Sequence, residues 1–249
     1  MVEIFEKRDL AGSVFRDVNL NGARFVDVSL EGASIRGANL KGFSIEDAAI
    51  TGMTIYGIRV DVLIEAEFDR QDIERVRLRM SDCHVPEEVR AVVKHLDEVR
   101  GGFCDLLRST EAALLTTRPV PDEWSVLENV RHLVFAEDLY LNRWICRNTQ
   151  PWCKLGLLPA FLARSPEFAE VGSEPTDDLE SVLEAWAAIH ADMQEYVEAV
   201  TAEQLRRDTS DIDFGQGTVG GILQCLAQHD LVHIRQAESA LTRLREEPA

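Results

Sequence analysis

The sequence predicts a multidomain α+β protein in which a square coil is followed by a four-helix bundle. Two observations support this: a five-residue repeat over residues 8–60, and four long segments between residues 86 and 245 with apolar residues at helical spacing. Residues 61–85 break the first pattern before the second begins. We therefore expect a coil over residues 1–60, a connector over 61–85 and a bundle over 86–249.

The repeat places a large apolar residue at every fifth position. Glycine recurs every ten residues, and a smaller residue often stands two positions before each large one. Neither a helix nor a flat strand has a period of five, whereas a square coil that points one large side chain inward from each side does. The large residues are Leu10, Phe15, Leu20, Phe25, Leu30, Ile35, Leu40, Ile45, Ile50, Ile55 and Val60.

One stretch, Ala38-Asn39-Leu40-Lys41-Gly42, is a complete match to the A-(D/N)-L-x-x consensus of the pentapeptide-repeat family, which this segment resembles. The resemblance implies a short right-handed quadrilateral β-helix of about two and a half coils. Phe43, Met53 and Ile58 are larger than the small residue of the pattern, which favours distorted later coils or packing onto the next domain.

The remainder of the chain is predicted to be helical. The connector favours a helix or an irregular strap, and the crossing over 149–177 contains a stretch, 157–163, that suits a short helix or lid. Two long crossings favour a bundle that is not simply up-down-up-down. The four long helices are expected at about 86–116, 125–148, 178–200 and 218–245.

Composition limits the location and the partners of the protein. No apolar run approaches a membrane span, the N-terminus lacks a signal-peptide core, and the five cysteines form no CxxC pair, so we expect reduced thiols in a cytoplasmic protein. Of the net charge of −18, residues 1–60 contribute little, with eight acidic and seven basic residues. The strongly acidic remainder repels phosphate backbones and anionic lipid, so no nucleic acid or membrane partner is expected.

The last helix carries His229 and His233 in its apolar stripe, four residues apart and so on one face. A third histidine, His132, lies in the second helix, which is apolar on more than one side. Three imidazoles from two helices form a ligand set for a first-row metal that leaves coordination positions open. The alternative is that they are core histidines held by carboxylates or carbonyls.

At this point the chain resembles the DinB/YfiT-like metal-binding bundles. The matching segments are Glu123–Leu133, with its Trp-Ser and His-Leu pairs, and His229-x-x-x-His233-x-x-Gln236; the resemblance covers about residues 86–245. It implies a site on His132, His229 and His233 that holds a divalent metal, zinc or nickel. Some members resemble transferases or isomerases that use a low-molecular-weight thiol as co-substrate.

Other residues are candidates for assisting roles. Glu128 is one turn before His132 and suits an orienting group or a base, and Gln236 follows His233 by three. Cys225 suits a fourth ligand or a redox-sensitive thiol, and Trp124, Trp144 and Trp152 suit the walls of a pocket. The alternatives are a solvated or paired glutamate, a small core cysteine and core aromatics.

Two functions from different classes follow. In the first, the bundle is a metal-dependent transferase, isomerase or hydrolase acting on a small molecule, with or without a small thiol. In the second, the protein is a non-catalytic binding or scaffold protein. The metal only stabilises its helical bundle, and the coil contacts a protein partner. In both, the coil itself is assigned to protein–protein contact or homodimerisation.

Overall fold

A computed structural model of the chain describes residues 4–5, 8–26, 28–45, 48–160, 162–164, 168, 171–212 and 217–246. By its internal contacts the chain divides into two compact units, Met1–Ala33 and Ser34–Ala249. The first unit lies within the predicted coil segment, and the second holds the remaining repeats and the helices. No helix among the described residues is both long enough and apolar enough to cross a bilayer.

Eight α-helices and one small antiparallel sheet lie in the described residues. The strands are β1 (Thr54–Ile55) and β2 (Ile58–Arg59), paired as Thr54 with Arg59 and Ile55 with Ile58. The helices are α1 (Val60–Gln71), α2 (Ile73–Arg77), α3 (Pro86–Arg108), α4 (Ala112–Thr116), α5 (Val126–Glu137), α6 (Leu179–Ala199), α7 (Ala202–Leu205) and α8 (Val219–Glu246). The chain is therefore mainly helical.

The repeat segment forms a tight turn every ten residues. In the first of these turns the N–H of Ser13 donates to the carbonyl of Leu10 at 3.0 Å, and Gly12 has a φ of 74°. A turn with a positive φ at its third residue is of type II and favours glycine there, which explains the ten-residue spacing of glycine. The same hydrogen bond recurs from Ala23 to Leu20, Ala33 to Leu30, Phe43 to Leu40 and Met53 to Ile50.

The large side chains of the repeat are about half exposed, although the sequence predicts that they point inward. Their exposed fractions lie between 44% and 63% for Leu10, Phe15, Leu20, Phe25, Leu30, Ile35, Leu40 and Ile45. Among the described residues from 8 to 50, the backbone hydrogen bonds close single turns and do not pair strands. The expected burial of every fifth side chain is therefore wrong here, and the quadrilateral β-helix stays a prediction.

The connector is helical, as one of the two predictions for it states, and it is tied to α8. The guanidinium of Arg235 on α8 donates from Nε to Oδ2 of Asp72 at 2.6 Å. Two turns earlier, the Gln228 amide donates to the carbonyl of Arg75 at 3.0 Å. The connector thus packs against the helix that carries two of the candidate ligands.

The core lies among α3, α5, α6 and α8. Helix α5 contacts both α6 and α8, and α3 contacts the same two helices. Two clusters of buried apolar side chains draw on all four helices, one around Leu226 and Met193 and the other around Leu133 and Trp186. The apolar spacing read from the sequence therefore marks buried faces, whereas the arrangement as a four-helix bundle stays a prediction.

Two of the predicted long helices are interrupted. The first ends at Arg108 rather than near residue 116, because the hydroxyls of Ser109 and Thr110 both bond the carbonyl of Leu106, at 2.8 Å each, and compete with further helix. The second continues beyond α5 as a π-helix, Asp138–Ile145.

The crossing after the π-helix contains a short 3-10 turn, Leu162–Arg164, near the predicted lid at 157–163. Residue 161 of that stretch lies outside the described residues. The start of the crossing is held against α5 by the N–H of Leu157, which donates to the carbonyl of Arg131 at 2.9 Å. The crossing therefore reaches the helix turn that carries His132.

Candidate metal centre

A capping box sets the start of α5 and therefore the face on which His132 lies. The N–H of Glu128 donates to the hydroxyl of Ser125 at 3.2 Å, and the N–H of Ser125 donates back to the Glu128 carboxylate at 2.8 Å. Such a box satisfies backbone donors that the first helical turn leaves without partners. His132 follows two turns later with only 5% of its surface exposed.

The three histidines predicted from the sequence converge. His132, His229 and His233 each offer a ring nitrogen, and these atoms all lie within 4.8 Å of one another. The Nε2 atoms of His132 and His229 are 3.3 Å apart. Bonds of about 2.0–2.1 Å at tetrahedral angles place two imidazole nitrogens about 3.3–3.4 Å apart, so this pair has the spacing of two zinc ligands.

Hydrogen bonds determine which nitrogen of two of these rings carries the proton. Nδ1 of His132 lies 3.2 Å from the carbonyl of Leu157, which only accepts, so this nitrogen carries hydrogen. Nδ1 of His233 lies 3.3 Å from Oδ1 of Asn129, whose amide nitrogen donates to the carbonyl of Ser125 at 3.1 Å. The orientation of the amide is thereby set, and both rings keep a lone pair on Nε2 for a cation.

The surroundings also favour the neutral form of the three rings. Burial, together with the nearby ring of His229, lowers the pKa of His132 from 6.5 to about 3. Burial lowers the pKa of His229 to about 4, and it holds the pKa of His233 well below its usual value. Neutral imidazole is the form that binds metals, so the donor set fits a divalent cation at neutral pH.

Aromatic side chains surround the imidazoles. The ring of Trp124 lies 4.8 Å from the ring of His132, and the ring of Tyr140 lies 5.7 Å from that of His229, centroid to centroid. The other two tryptophans lie one side chain farther away: Trp144 packs edge-on against Tyr140 at 4.9 Å, and Trp152 stacks on Phe135 at 5.5 Å. Trp124 therefore lines the site directly, and the other two support the residues that do.

Cys225 is placed beside Tyr140 and not among the three ring nitrogens. Its Sγ lies 3.6 Å from the phenol oxygen of Tyr140. Burial raises the pKa of the Cys225 thiol, so the neutral thiol is favoured. This placement agrees with the alternative interpretation of Cys225 as a small, buried side chain.

The two predicted assistants differ in position. Gln236 forms a side-chain hydrogen bond with His233. Glu128 is occupied elsewhere: Arg118 donates from Nε to Oε2 of Glu128 at 2.9 Å, in addition to the bond from Ser125. Burial raises the pKa of this carboxyl, but the interactions with Arg118 and Ser125 together outweigh it and the net shift of the pKa is downward. The structure thus places Glu128 in a capping and ion-pairing role, and a role as base stays a prediction.

Sequence reasoning missed the groups that orient the imidazoles. Asn129 precedes His132 by three residues, so the helical spacing places both side chains on one face of α5, and that spacing was an available signal. The Leu157 carbonyl carries no signal, because any residue offers the same backbone group.

A buried polar cluster adjoins the centre through Asp230, whose Oδ1 lies 3.8 Å from Nδ1 of His229 and whose carboxyl forms a hydrogen bond with Glu137. Glu137, with no exposed surface, accepts from Nε1 of Trp186 at 2.8 Å and lies 3.6 Å from the guanidinium of Arg100. Nδ1 of His190 lies 3.3 Å from the same carboxyl. Burial raises the pKa of Glu137 well above its usual value and that of Asp230 to about 6.

Comparison with known families agrees with these features. A family model described as the DinB superfamily matches residues 86–237, and a model described as pentapeptide repeats matches residues 9–46 with eight copies. No curated protein and no solved structure matches the chain.

Proposed function

Because the chain belongs to the DinB superfamily, we propose that it is a metal-dependent enzyme acting on a small molecule. His132, His229 and His233 would hold a divalent cation, zinc or nickel, and the reaction would be a transfer, an isomerisation or a hydrolysis. The observation that carries the proposal is the meeting of three ring nitrogens within 4.8 Å, contributed by two different helices. A set of three neutral imidazoles leaves room for a substrate or co-substrate on the cation.

The cation would lower the pKa of a coordinated water or low-molecular-weight thiol toward neutrality, which provides a nucleophile at physiological pH. The residues of the chain would prepare the site for this step. The Leu157 carbonyl and Asn129 hold the protons on Nδ1 of His132 and His233, so that both Nε2 atoms face inward. Trp124 and Tyr140 would exclude bulk water from the two sides of the imidazole cluster.

The same proposal includes the architecture of the chain. Residues 86–249 would form a DinB-like four-helix bundle, residues 61–85 the connector and residues 1–60 a quadrilateral β-helix. The packing of α3 and α5 against both α6 and α8 supports the bundle, and the eight matched repeats support the coil. Its partner would be a small-molecule substrate, with or without a small thiol, and neither nucleic acid nor membrane.

Elemental analysis combined with activity assays tests the proposed function. We expect about one zinc or nickel ion per chain at the histidine site, lost in His233→Ala and retained in His95→Ala. His95 is a suitable control because it lies at the protein surface between Glu74 and Glu98. Conjugation of small thiols to carbon electrophiles, and hydrolysis of activated esters and amides, should fall in the first variant alone. Metal loss with unchanged turnover of every substrate that the wild type converts would contradict an enzymatic role.

The exposed apolar side chains of the repeat segment favour a second candidate function, that of a metal-stapled scaffold. Half-exposed Phe15 and Phe25 would bind a protein partner or a second copy of the chain. Sedimentation of the full chain and of the double variant Phe15→Ser, Phe25→Ser distinguishes the candidates. A scaffold that dimerises through this segment should become monomeric in the double variant, whereas an enzyme whose activity resides in the helices should keep its turnover.

A further inference from the structure

A second group of metal-ligating side chains lies in the loop that leads into α3. The ligand atoms of Asp82, Cys83 and His84 all lie within 4.8 Å of one another. Nδ1 of His84 is 3.1 Å from Oδ1 of Asp82, and Nε2 of His84 is 3.9 Å from Sγ of Cys83. From the sequence, this stretch predicts only the beginning of a helix, because no further ligand stands at metal-binding spacing from Cys83 and His84. The fold brings a residue that is distant in sequence, Thr218, next to them.

Thr218, the residue before α8, contacts the same group. The hydroxyl of Thr218 lies 3.2 Å from Nε2 of His84, and it also forms a hydrogen bond with Cys83. Gly220 allows the loop to approach this closely, because a Cβ at that position would lie 2.1 Å from the Cys83 carbonyl oxygen. The sulfur, the imidazole and the hydroxyl therefore surround one point between the loop and the helix.

The loop is held in this position by contacts that do not involve the group itself. The amide of Gln224 on α8 donates to the carbonyl of Leu78 at 2.9 Å and accepts from the N–H of Met80 at 2.5 Å. On the other side of the loop, the Glu88 carboxylate accepts from the hydroxyl of Ser81 at 2.7 Å. The backbone that leads into Asp82 is thus held by Gln224 on α8 and by Glu88 on α3, which lowers the entropic cost of binding an ion.

The chemistry of the donors selects a class of cation. A thiolate, an imidazole and a carboxylate together favour zinc and its borderline-soft neighbours over magnesium or calcium. With zinc–sulfur bonds of about 2.3 Å and zinc–nitrogen bonds of about 2.0–2.1 Å, tetrahedral ligands lie about 3.6 Å apart. The observed sulfur–nitrogen distance of 3.9 Å exceeds this by a few tenths of an ångström, which a small rotation of the Cys83 side chain removes.

We propose that Asp82, Cys83 and His84 form a second divalent-cation site of zinc type, which fastens the connector loop to the first turn of α8. The Asp82 carboxylate either completes the ligand set or orients the imidazole through Nδ1. The site uses none of the histidines of the first centre and stands independently of the proposed enzyme function. Because α8 also carries His229 and His233, an ion here would stabilise the start of the helix on which the first centre depends.

Cobalt(II) distinguishes the two sites, because a thiolate ligand gives an intense near-ultraviolet charge-transfer band that imidazoles do not. The full chain, reduced and freed of metal, is titrated with cobalt(II) at pH 7. We expect two equivalents to bind, one with the thiolate band. Cys83→Ser and His84→Gln should each bind one equivalent and lack the band, whereas His132→Gln should lose the other equivalent and keep the band. Cys225→Ser is the matched control at a cysteine next to the first centre, and it should keep the band.

Zinc affinity gives a second readout that does not depend on the band. In competition with a chromophoric chelator, His84→Gln should lower the zinc affinity of the site at Asp82–His84 more than tenfold. The zinc affinity of the three-histidine centre should be unchanged. His84 is partly exposed, so this variant keeps the buried core intact if Cys83→Ser does not fold. A thiolate band that persists in Cys83→Ser, a band lost in Cys225→Ser, or a wild type that binds cobalt(II) without any thiolate band would overturn the proposal.

Discussion

The pH dependence of unfolding tests whether His132 is buried as a neutral imidazole. Its ring is 5% exposed, and burial lowers its pKa from 6.5 to about 3. A histidine with a lowered pKa in the folded state takes up its proton more readily in the unfolded chain. The folded protein therefore loses stability as the pH falls through 6.5, and the loss continues until the pH reaches about 3.

The size of the effect follows from these two pKa values. Proton linkage gives a loss of about 2 kcal/mol from His132 alone between pH 7 and pH 5 in the metal-free protein. Other titratable groups also change the dependence of the unfolding free energy on pH. Asp230, with its pKa raised to about 6, adds stability over part of the same interval, and the raised pKa of Glu137 acts in the same direction. A comparison of two chains that share these carboxyls isolates the contribution of the histidine.

The assay is urea unfolding followed by circular dichroism, with a chelator present, at pH 7 and pH 5. We compare the wild type with His132→Gln, in which the amide can still donate to the Leu157 carbonyl. The loss of unfolding free energy between the two pH values should be about 2 kcal/mol smaller in the variant. Equal losses in both chains, within about 0.5 kcal/mol, would refute a buried, neutral His132.

Three further predictions concern packing, capping and metal affinity. Gly220→Ala should lower the unfolding free energy by about 1–3 kcal/mol, because the new Cβ would meet the backbone of Cys83. Gly101→Ala, whose Cβ would have no atom within 4 Å, should raise the unfolding free energy by about 0.5–1 kcal/mol. Denaturant unfolding measures both changes. Ser125→Ala removes the cap of α5 and should cost about 1 kcal/mol in the same assay. Asn129→Leu removes the acceptor for Nδ1 of His233 and should weaken zinc binding at that centre about 10–100-fold in chelator competition; unchanged affinity would contradict its orienting role.

Much of the helical part could be predicted because it depends on local spacing. The apolar periodicity located α6, α8 and the start of α5 within a few residues, and the i,i+4 spacing of His229 and His233 placed both rings on one face. The early end of α3 could not be predicted in this way. It depends on the hydroxyls of Ser109 and Thr110, which bond the carbonyl of Leu106 and so compete with continuation of the helix.

The repeat segment shows a different limit. Its ten-residue glycine spacing corresponds to real turns, because a positive φ is a local demand on a single residue. The inward or outward direction of the large side chains is not local, since it requires neighbouring coils to stack. Periodicity alone therefore indicated the turns but did not determine the burial of Leu10 or Phe15.

The sequence by itself determined which three imidazoles are candidate ligands and which helices carry them, since residue type and helical spacing are properties of one segment. Only the tertiary structure decided which nitrogen of His132 and of His233 is free to bind a cation. His233 depends on Asn129, 104 residues away in the chain, and His132 on a backbone carbonyl 25 residues away. Partners so distant in sequence meet only after the helices have packed, because hydrogen bonds act over about 3 Å and carry no signature along the chain.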